Sequence, residues 1–313
     1  MYIVLQILLL ALGFVFLVKG SDWFVDGAAG IANRFGIPQL IIGLTIVAMG
    51  TSAPEAAVSI TAAFNGSADI TIGNIVGSNI LNVLIILGLS AIVYPLAVAK
   101  STLKIDIPLT IGITILLFVL GLNGTITRID GIIMLAIFVS YILFLIWSAK
   151  KGSENPMSDE LEEVNMDITI GKAILFTIIG LALVIAGSNF VVKSATNIAR
   201  LLGWSERFIG LTIVALGTSL PELFTSVSAA MKKNCDIAVG NIIGSNIFNI
   251  LFVVGLSSLV IPVPFTSAFR FDTIVSCASV VLLLLFCLPK NKLPRWAGAV
   301  MLACYLAYFL WIL

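Results

Sequence analysis

Along most of the chain, apolar residues run in blocks too continuous for the one-sided stripe of a soluble helix. The blocks fall at about 2–18 (extending towards 32), 37–64, 70–94, 105–122, 131–148, 168–200, 204–230, 237–261, 272–288 and 296–313. Ile105–Leu122 and Ile132–Trp147 are almost wholly apolar over roughly the 18 to 20 residues that carry a helix across about 30 Å of hydrocarbon. Lipid offers no partner to an unpaired backbone amide, so spanning elements are helices or closed barrels, and barrel strands are shorter and alternate. The pattern predicts an all-α integral membrane protein of ten transmembrane helices. One polar stretch interrupts it: residues 150–167 hold Glu154, Asp159, Glu160, Glu162, Glu163 and Asp167 with Pro156. It lacks the alternating ligands and turn glycine of a calcium loop and reads as a linker between a first repeat, 1–149, and a second, 168–313.

Sliding the chain over itself by 167 residues reveals a duplication. Ile42–Ala48 falls on Ile209–Ala215 with every residue the same, Gly50-Thr-Ser-Ala-Pro-Glu55 falls on Gly217-Thr-Ser-Leu-Pro-Glu222, and Gly73-Asn-Ile-Val-Gly-Ser-Asn-Ile-Leu-Asn82 falls on Gly240-Asn-Ile-Ile-Gly-Ser-Asn-Ile-Phe-Asn249. The frame is ungapped from Gly20-Ser21 on Gly187-Ser188 to Pro95 on Pro262. Chance alignment of two apolar segments shares leucines and valines, not glycines, prolines, asparagines and a glutamate. With five helices in each half, the second half enters the membrane from the opposite face, so the repeats are expected to be inverted, a recurrent plan in secondary transporters.

Composition agrees: 60% of the residues are hydrophobic, 11% are charged and the mean hydropathy is +1.16, values that exclude a soluble domain. The net charge of +1, without a basic cluster, argues against a nucleic-acid partner. No protein partner is inferable; the expected surroundings are a lipid bilayer. Tyr2–Val18 has neither a basic region before it nor a small-residue cleavage site after it, and reads as a first spanning helix rather than a removed signal. With both termini outside, twelve Lys and Arg residues, among them Lys150, Lys151, Lys232 and Lys233, fall on the cytoplasmic side and five outside; the positive-inside bias selects that orientation in the cell membrane. Cys235, Cys277, Cys287 and Cys304 have no metal spacing, there is no histidine, and no nucleophile–base pair or cofactor fingerprint marks an enzyme.

Of the sixteen acidic residues, Glu55 and Glu222 are read as the two that sit mid-span, where a carboxylate is costly and usually functional. Pro54 and Pro221 precede them; proline removes a donor, so carbonyls near Gly50 and Gly217 are expected to lose their helical partner and to face a cation. Thr51, Ser52, Thr218 and Ser219 lie three or four residues before the glutamates, on the same or an adjacent face. Ser78 and Asn82, and their copies Ser245 and Asn249, are four apart on one face. Carboxylate, hydroxyl and carbonyl oxygens suit Na+, Ca2+ and Mg2+, whereas soft metals call for sulfur or imidazole. The bland alternative is interhelical packing through small residues and asparagine bonds.

The doubled Gly-Thr-Ser-x-Pro-Glu and Gly-Ser-Asn-x-x-Asn elements, spanning 43–82 and 210–249, resemble the two repeats of the cation/calcium exchanger superfamily, especially its prokaryotic sodium/calcium exchanger branch. The resemblance implies an antiporter moving Ca2+ against Na+ by alternating access, with no cofactor. Its ligands would be Glu55, Glu222, Thr51, Ser52, Thr218, Ser219, Ser78 and Ser245, with the carbonyls of Ala48 and Ala215, and Asn82 and Asn249 completing the ring. It also implies that the first and sixth helices slide across the others. Asparagine at 249, where family members often have aspartate, argues for potassium independence, and the linker has no room for a regulatory calcium-binding domain. Exchange of another cation pair, a cation channel and a membrane scaffold are the alternatives.

Overall fold

The computed structural model describes residues 2–152, 168–203 and 215–312. It is helical apart from four two-residue strands that the apolar pattern does not announce. In chain order the helices are α1 (Tyr2–Phe35), α2 (Gln39–Thr51), α3 (Ala53–Phe64), α4 (Ile70–Val93), α5 (Thr102–Gly121), α6 (Arg128–Gly152), α7 (Ile170–Leu201), α8 (Ala215–Thr218), α9 (Leu220–Met231), α10 (Cys235–Val260), α11 (Ser267–Cys287) and α12 (Arg295–Ile312). Among the described residues, eight are long and apolar enough to cross a membrane: α1, α4, α5, α6, α7, α10, α11 and α12. The broken pair α2–α3, bent by 50°, makes a ninth if it is one span. Of the expected segment 204–230 only the part from Ala215 is described, and most of the expected linker, 153–167, also lies outside the described residues.

Burial sorts the helices. The apolar windows of α10 and α4 are 94% and 78% buried inside the protein, against 22% for α1 and 17% for α12. Thus α4 and α10 form the centre, and the outer helices turn residues such as Leu8, Leu143, Ile178 and Leu310 outward, as lipid in place of water permits. Each central helix widens into a π segment after its motif, Asn82–Leu87 in α4 and Phe248–Val254 in α10. Such segments are rare and gather at functional sites.

Small residues bring α1 and α7 together along their length. The pairs Gly13–Gly187, Gly20–Gly180 and Gly27–Ala173 meet in antiparallel order: a Cβ on Gly20 would lie 2.9 Å from the Gly180 carbonyl, and one on Gly180 2.4 Å from the Phe24 amide nitrogen. Lys232, just after α9, fastens α1 to that helix: its Nζ lies 2.5 Å from Asp26 Oδ1 and donates to the Asp22 carbonyl at 2.8 Å.

The strands obey the duplication. Leu96–Ala97 (β1) pairs antiparallel with Lys292–Leu293 (β4), and Thr125–Ile126 (β2) with Val263–Pro264 (β3). Shifting by 167 residues converts Leu96↔Leu293 into Val263↔Ile126, so one ladder is the image of the other.

Gly180→Ala is expected to lower the thermal unfolding midpoint in detergent, by about 1–3 kcal/mol of overpacking. Gly112→Ala on α5, where a Cβ meets nothing within 4 Å, is expected to leave stability unchanged or raise it by up to about 1 kcal/mol.

Candidate cation site

Both glutamates sit at helix breaks rather than mid-helix, which corrects the sequence expectation. α2 stops at Thr51, Ser52 takes φ −81° and ψ 5°, and α3 starts at Ala53 with Pro54 in its first turn. Proline at that point needs no helical partner for its missing N–H, so it opens a new helix instead of kinking an old one. Glu55 then stands in the first turn of α3, where the helix dipole favours negative charge. The second repeat copies this at Ser219 (φ −91°, ψ 6°), Pro221 and Glu222.

The serines at the breaks show where the two halves meet. Ser52-x-x-Glu55 has the spacing of a capping box, in which serine and glutamate serve their own helix. Neither Ser52 nor Ser219 makes a side-chain capping bond. Instead Ser52 Oγ donates to Glu222 Oε1 at 2.7 Å, and Ser219 Oγ to Glu55 Oε1 at 3.2 Å. The two carboxyl groups are therefore drawn together from opposite repeats, each 1% exposed.

Around them the bonding repeats at the 167-residue offset. Asn74 Nδ2 donates to Ser59 Oγ at 2.9 Å and to the Glu55 carbonyl at 3.3 Å; Asn241 Nδ2 donates to Ser226 Oγ at 2.9 Å and to the Glu222 carbonyl at 3.4 Å. Thr51 Oγ1 donates across to Asn241 Oδ1 at 2.9 Å, and Ser245 Oγ to the Ala48 carbonyl at 3.4 Å. Asn82 Nδ2 donates to Asn246 Oδ1 at 3.0 Å, and Asn249 Nδ2 to Asn79 Oδ1 at 3.1 Å.

Of the nine buried side-chain oxygens without a hydrogen-bond partner among the described residues, five are hydroxyls of Ser90, Thr102, Thr196, Thr225 and Ser257, and four are carboxyl or amide oxygens of the two motifs. These four, Glu55 Oε2, Glu222 Oε2, Asn82 Oδ1 and Asn249 Oδ1, are two pairs of equivalent atoms, all acceptors. Unsatisfied buried acceptors are costly, and a hard cation satisfies several at once. Among the described residues neither glutamate is ion-paired, and no three His, Cys, Asp or Glu side chains cluster to hold a metal. The carboxylate pair with amide and hydroxyl oxygens is the donor set present.

The structure brings Thr51, Ser52, Ser219, Ser245 and the Ala48 carbonyl into the bonded network around the glutamates, and Asn82 and Asn249 into a chain of bonds with Asn246 and Asn79. Thr218, half-buried on α8, is a side-chain hydrogen-bond partner of the Glu55 carboxyl; Ser78 is buried on α4 and Ala215 opens α8. Pro54 and Pro221 have no N–H for the Gly50 and Gly217 carbonyls four residues before them; the Gly217 carbonyl, expected to face a cation, instead accepts Ser188 Oγ at 2.7 Å. Ser59, Asn74, Asn79 and their copies were left out of the expected set, although the duplication marks each one. Asp106, 3% exposed in α5, was missed too; its carboxylate accepts Tyr141 OH at 2.9 Å.

Fold and site define a helical integral membrane protein with a hard-oxygen centre in its interior. The sequence profile of the family described as sodium/calcium exchanger protein matches residues 5–147 and 172–313. The chain is 41% identical over 302 residues to the putative antiporter CaxA of Alkalimonas amylolytica, covering 95% of each. It is 35% identical to the sodium/calcium exchanger MaX1 of Methanosarcina acetivorans, covering 98% of each. It superposes on the solved sodium-calcium exchanger NCX_Mj with a TM-score of 0.86 and 35% identity, covering 99% of this chain and 100% of that one. The chain belongs to the sodium/calcium exchanger family.

A cation that binds the centre in the folded protein alone raises the thermal midpoint, by about 2.7 kcal/mol of stabilisation at a hundredfold excess over Kd, and calcium is expected to do so with the purified protein. Glu55→Gln and Glu222→Gln should each abolish the response, and Asp106→Asn, a carboxyl change away from the centre, should keep it.

Proposed function

We propose that the protein is a secondary active antiporter that moves Ca2+ against Na+ by alternating access through a midplane centre formed by Glu55 and Glu222. The observation that carries this reading is that four of the unpartnered buried oxygens are carboxyl and amide acceptors of the doubled motifs, two from each repeat. Thr51, Ser52, Thr218, Ser219, Ser78, Ser245 and the carbonyls of Ala48 and Ala215 complete the ligands from which Na+ and Ca2+ draw, the two ions competing for shared oxygens. The centre offers two negative charges, which one Ca2+ balances and several Na+ ions also satisfy. An empty centre leaves buried charge uncompensated and switches poorly. That penalty couples the fluxes.

The ten-helix plan of two inverted five-helix repeats, joined by a cytoplasmic linker with both termini outside, is part of the proposal. The image-related ladders and the crosswise serine bonds support it, because a two-fold relation between repeats produces both. Departures from that symmetry support two alternating states. Ser188 of α7 holds the Gly217 carbonyl at the second break, whereas its equivalent Ser21 of α1 bonds back to Val18 in its own helix at 3.0 Å. If sliding of α1 and α7 converts one state into the image of the other, these two bonds exchange roles.

Sodium-loaded proteoliposomes diluted into sodium-free buffer should accumulate calcium, and Glu55→Gln or Glu222→Gln should reduce uptake to background. Uptake that ignores the sodium gradient would indicate a channel or another coupling ion, which proton and potassium gradients then distinguish.

Ser188→Ala and Ser21→Ala should shift the populations of the two states in opposite senses, each by about fivefold for a bond worth about 1 kcal/mol, read as distance distributions between spin labels on α7 and α11. Shifts in the same sense count against the exchange.

A further inference from the structure

On α4 and α10 four buried asparagines form a chain of bonds that has a direction. An amide presents a carbonyl oxygen at one end and an NH2 group at the other, and the end that faces inward decides whether it attracts or repels a cation. Asn79 Nδ2 donates to the backbone carbonyl of Asn246 at 3.3 Å, and Asn246 Nδ2 to the backbone carbonyl of Asn79 at 3.4 Å. A backbone carbonyl can only accept, so these long bonds settle which end of each amide carries hydrogen. The oxygens of Asn79 and Asn246 then face the next pair, where they accept Asn249 Nδ2 at 3.1 Å and Asn82 Nδ2 at 3.0 Å. With their NH2 groups held in these bonds, Asn249 and Asn82 are left with Oδ1 atoms that are buried and unpartnered. Half a turn of Asn79 or Asn246 would set oxygen against the backbone carbonyl at one contact and NH2 against NH2 at the other.

We propose that Asn79 and Asn246 are positioning residues that turn the side-chain oxygens of Asn249 and Asn82, respectively, towards the transported cation. The proposal rests on the exchanger reading above and adds to it a pair that touches no ion. Each orients a ligand on the other repeat: Asn79 of α4 orients Asn249 of α10, and Asn246 of α10 orients Asn82 of α4. The neutral oxygens are thereby fixed as acceptors before an ion arrives, which reduces the reorganisation that binding must offset. All four asparagines are at most 1% exposed, so water cannot take over the task. Their ordinary alternative role is interhelical adhesion, which would not discriminate between neighbours.

A double-mutant cycle separates the two roles. Half-saturating calcium is measured by direct radioactive calcium binding to purified protein and by uptake into sodium-loaded proteoliposomes. Asn79→Ala is expected to raise it about tenfold, the effect of releasing one buried bond to a ligand. In an Asn249→Ala background the same substitution should add less than about twofold, because the amide it orients is gone, whereas in an Asn82→Ala background it should keep its full effect. Asn246→Ala should show the mirrored dependence, lost with Asn82→Ala and kept with Asn249→Ala. Asn79→Ser, a smaller change, carries the same comparison where Asn79→Ala folds poorly. Equal cost in every background would overturn the positioning role and leave adhesion. Wild-type protein that binds no calcium and shows no sodium-driven uptake would overturn the exchanger reading itself, and this proposal with it.

Discussion

Two carboxyl groups enclosed in an apolar body, with no basic side chain to neutralise them, are the constraint on which the rest of the structure depends. Charge in such surroundings is strongly disfavoured unless it is paired or well bonded. Here each glutamate has one oxygen bonded to a serine of the other repeat and one oxygen without a partner. Half-satisfaction of this kind is what a binding centre needs. The bonded oxygens fix where the carboxyls stand, and the remaining ones keep an unmet demand for a cation. A fully bonded pair would be inert, and an unbonded pair would have no defined geometry.

Much of the surrounding fold follows from placing those oxygens. A continuous helix would point its glutamate at whichever neighbour its periodicity chose, and its N–H groups would all be consumed internally. Breaking the helix at Ser52 and Ser219 puts each carboxyl in a first turn and releases the serine hydroxyls to reach across. That reach requires the repeats to approach closely. At Gly43, Gly240 and Gly244 any Cβ would meet backbone of the opposing helix at 3.0 Å or less, so glycine is what lets α2 and α10 come near enough. The π segments after Asn82 and Asn249 belong to the same adjustment, since they re-phase the central helices just beyond the polar ring.

The sequence made the membrane class, the duplication and the paired glutamates legible because each leaves a long or doubled trace. Apolar blocks tens of residues long survive any uncertainty at their ends, and an ungapped offset of 167 is insensitive to local conformation. What it concealed depended on direction. Ser-x-Pro-Glu reads equally as a kinked helix or as a break with a new start, and only tertiary contacts decide that Ser52 serves Glu222. The carbonyl of Gly217 was expected to be open and is instead taken by Ser188, a residue 29 positions away on another helix that no local rule connects to it. The asparagines proposed to orient and those proposed to coordinate have the same letter. Their roles separate only when each amide's two ends have been assigned.

Asp106 shows why burial alone does not identify a working acid. Like the glutamates it is enclosed in a membrane-spanning helix, and like them it has a counterpart: Asp272 of α11 accepts Tyr308 OH at 2.9 Å as Asp106 accepts Tyr141 OH at 2.9 Å. The tyrosines obey the 167-residue offset, but the aspartates are one residue short of it. A π segment at Thr102–Asp106, absent from α11, supplies the additional residue between β1 and Asp106. The chain has thus changed its helical phase in one repeat and still met the same Asp–Tyr contact. Each of these aspartates bonds to a tyrosine of another helix within its own repeat. The glutamates, by contrast, lie where the two repeats face each other, and each depends on a serine that its own half does not supply. Dependence on both halves, combined with oxygens left unbonded, separates the acids of the centre from acids that merely hold helices together.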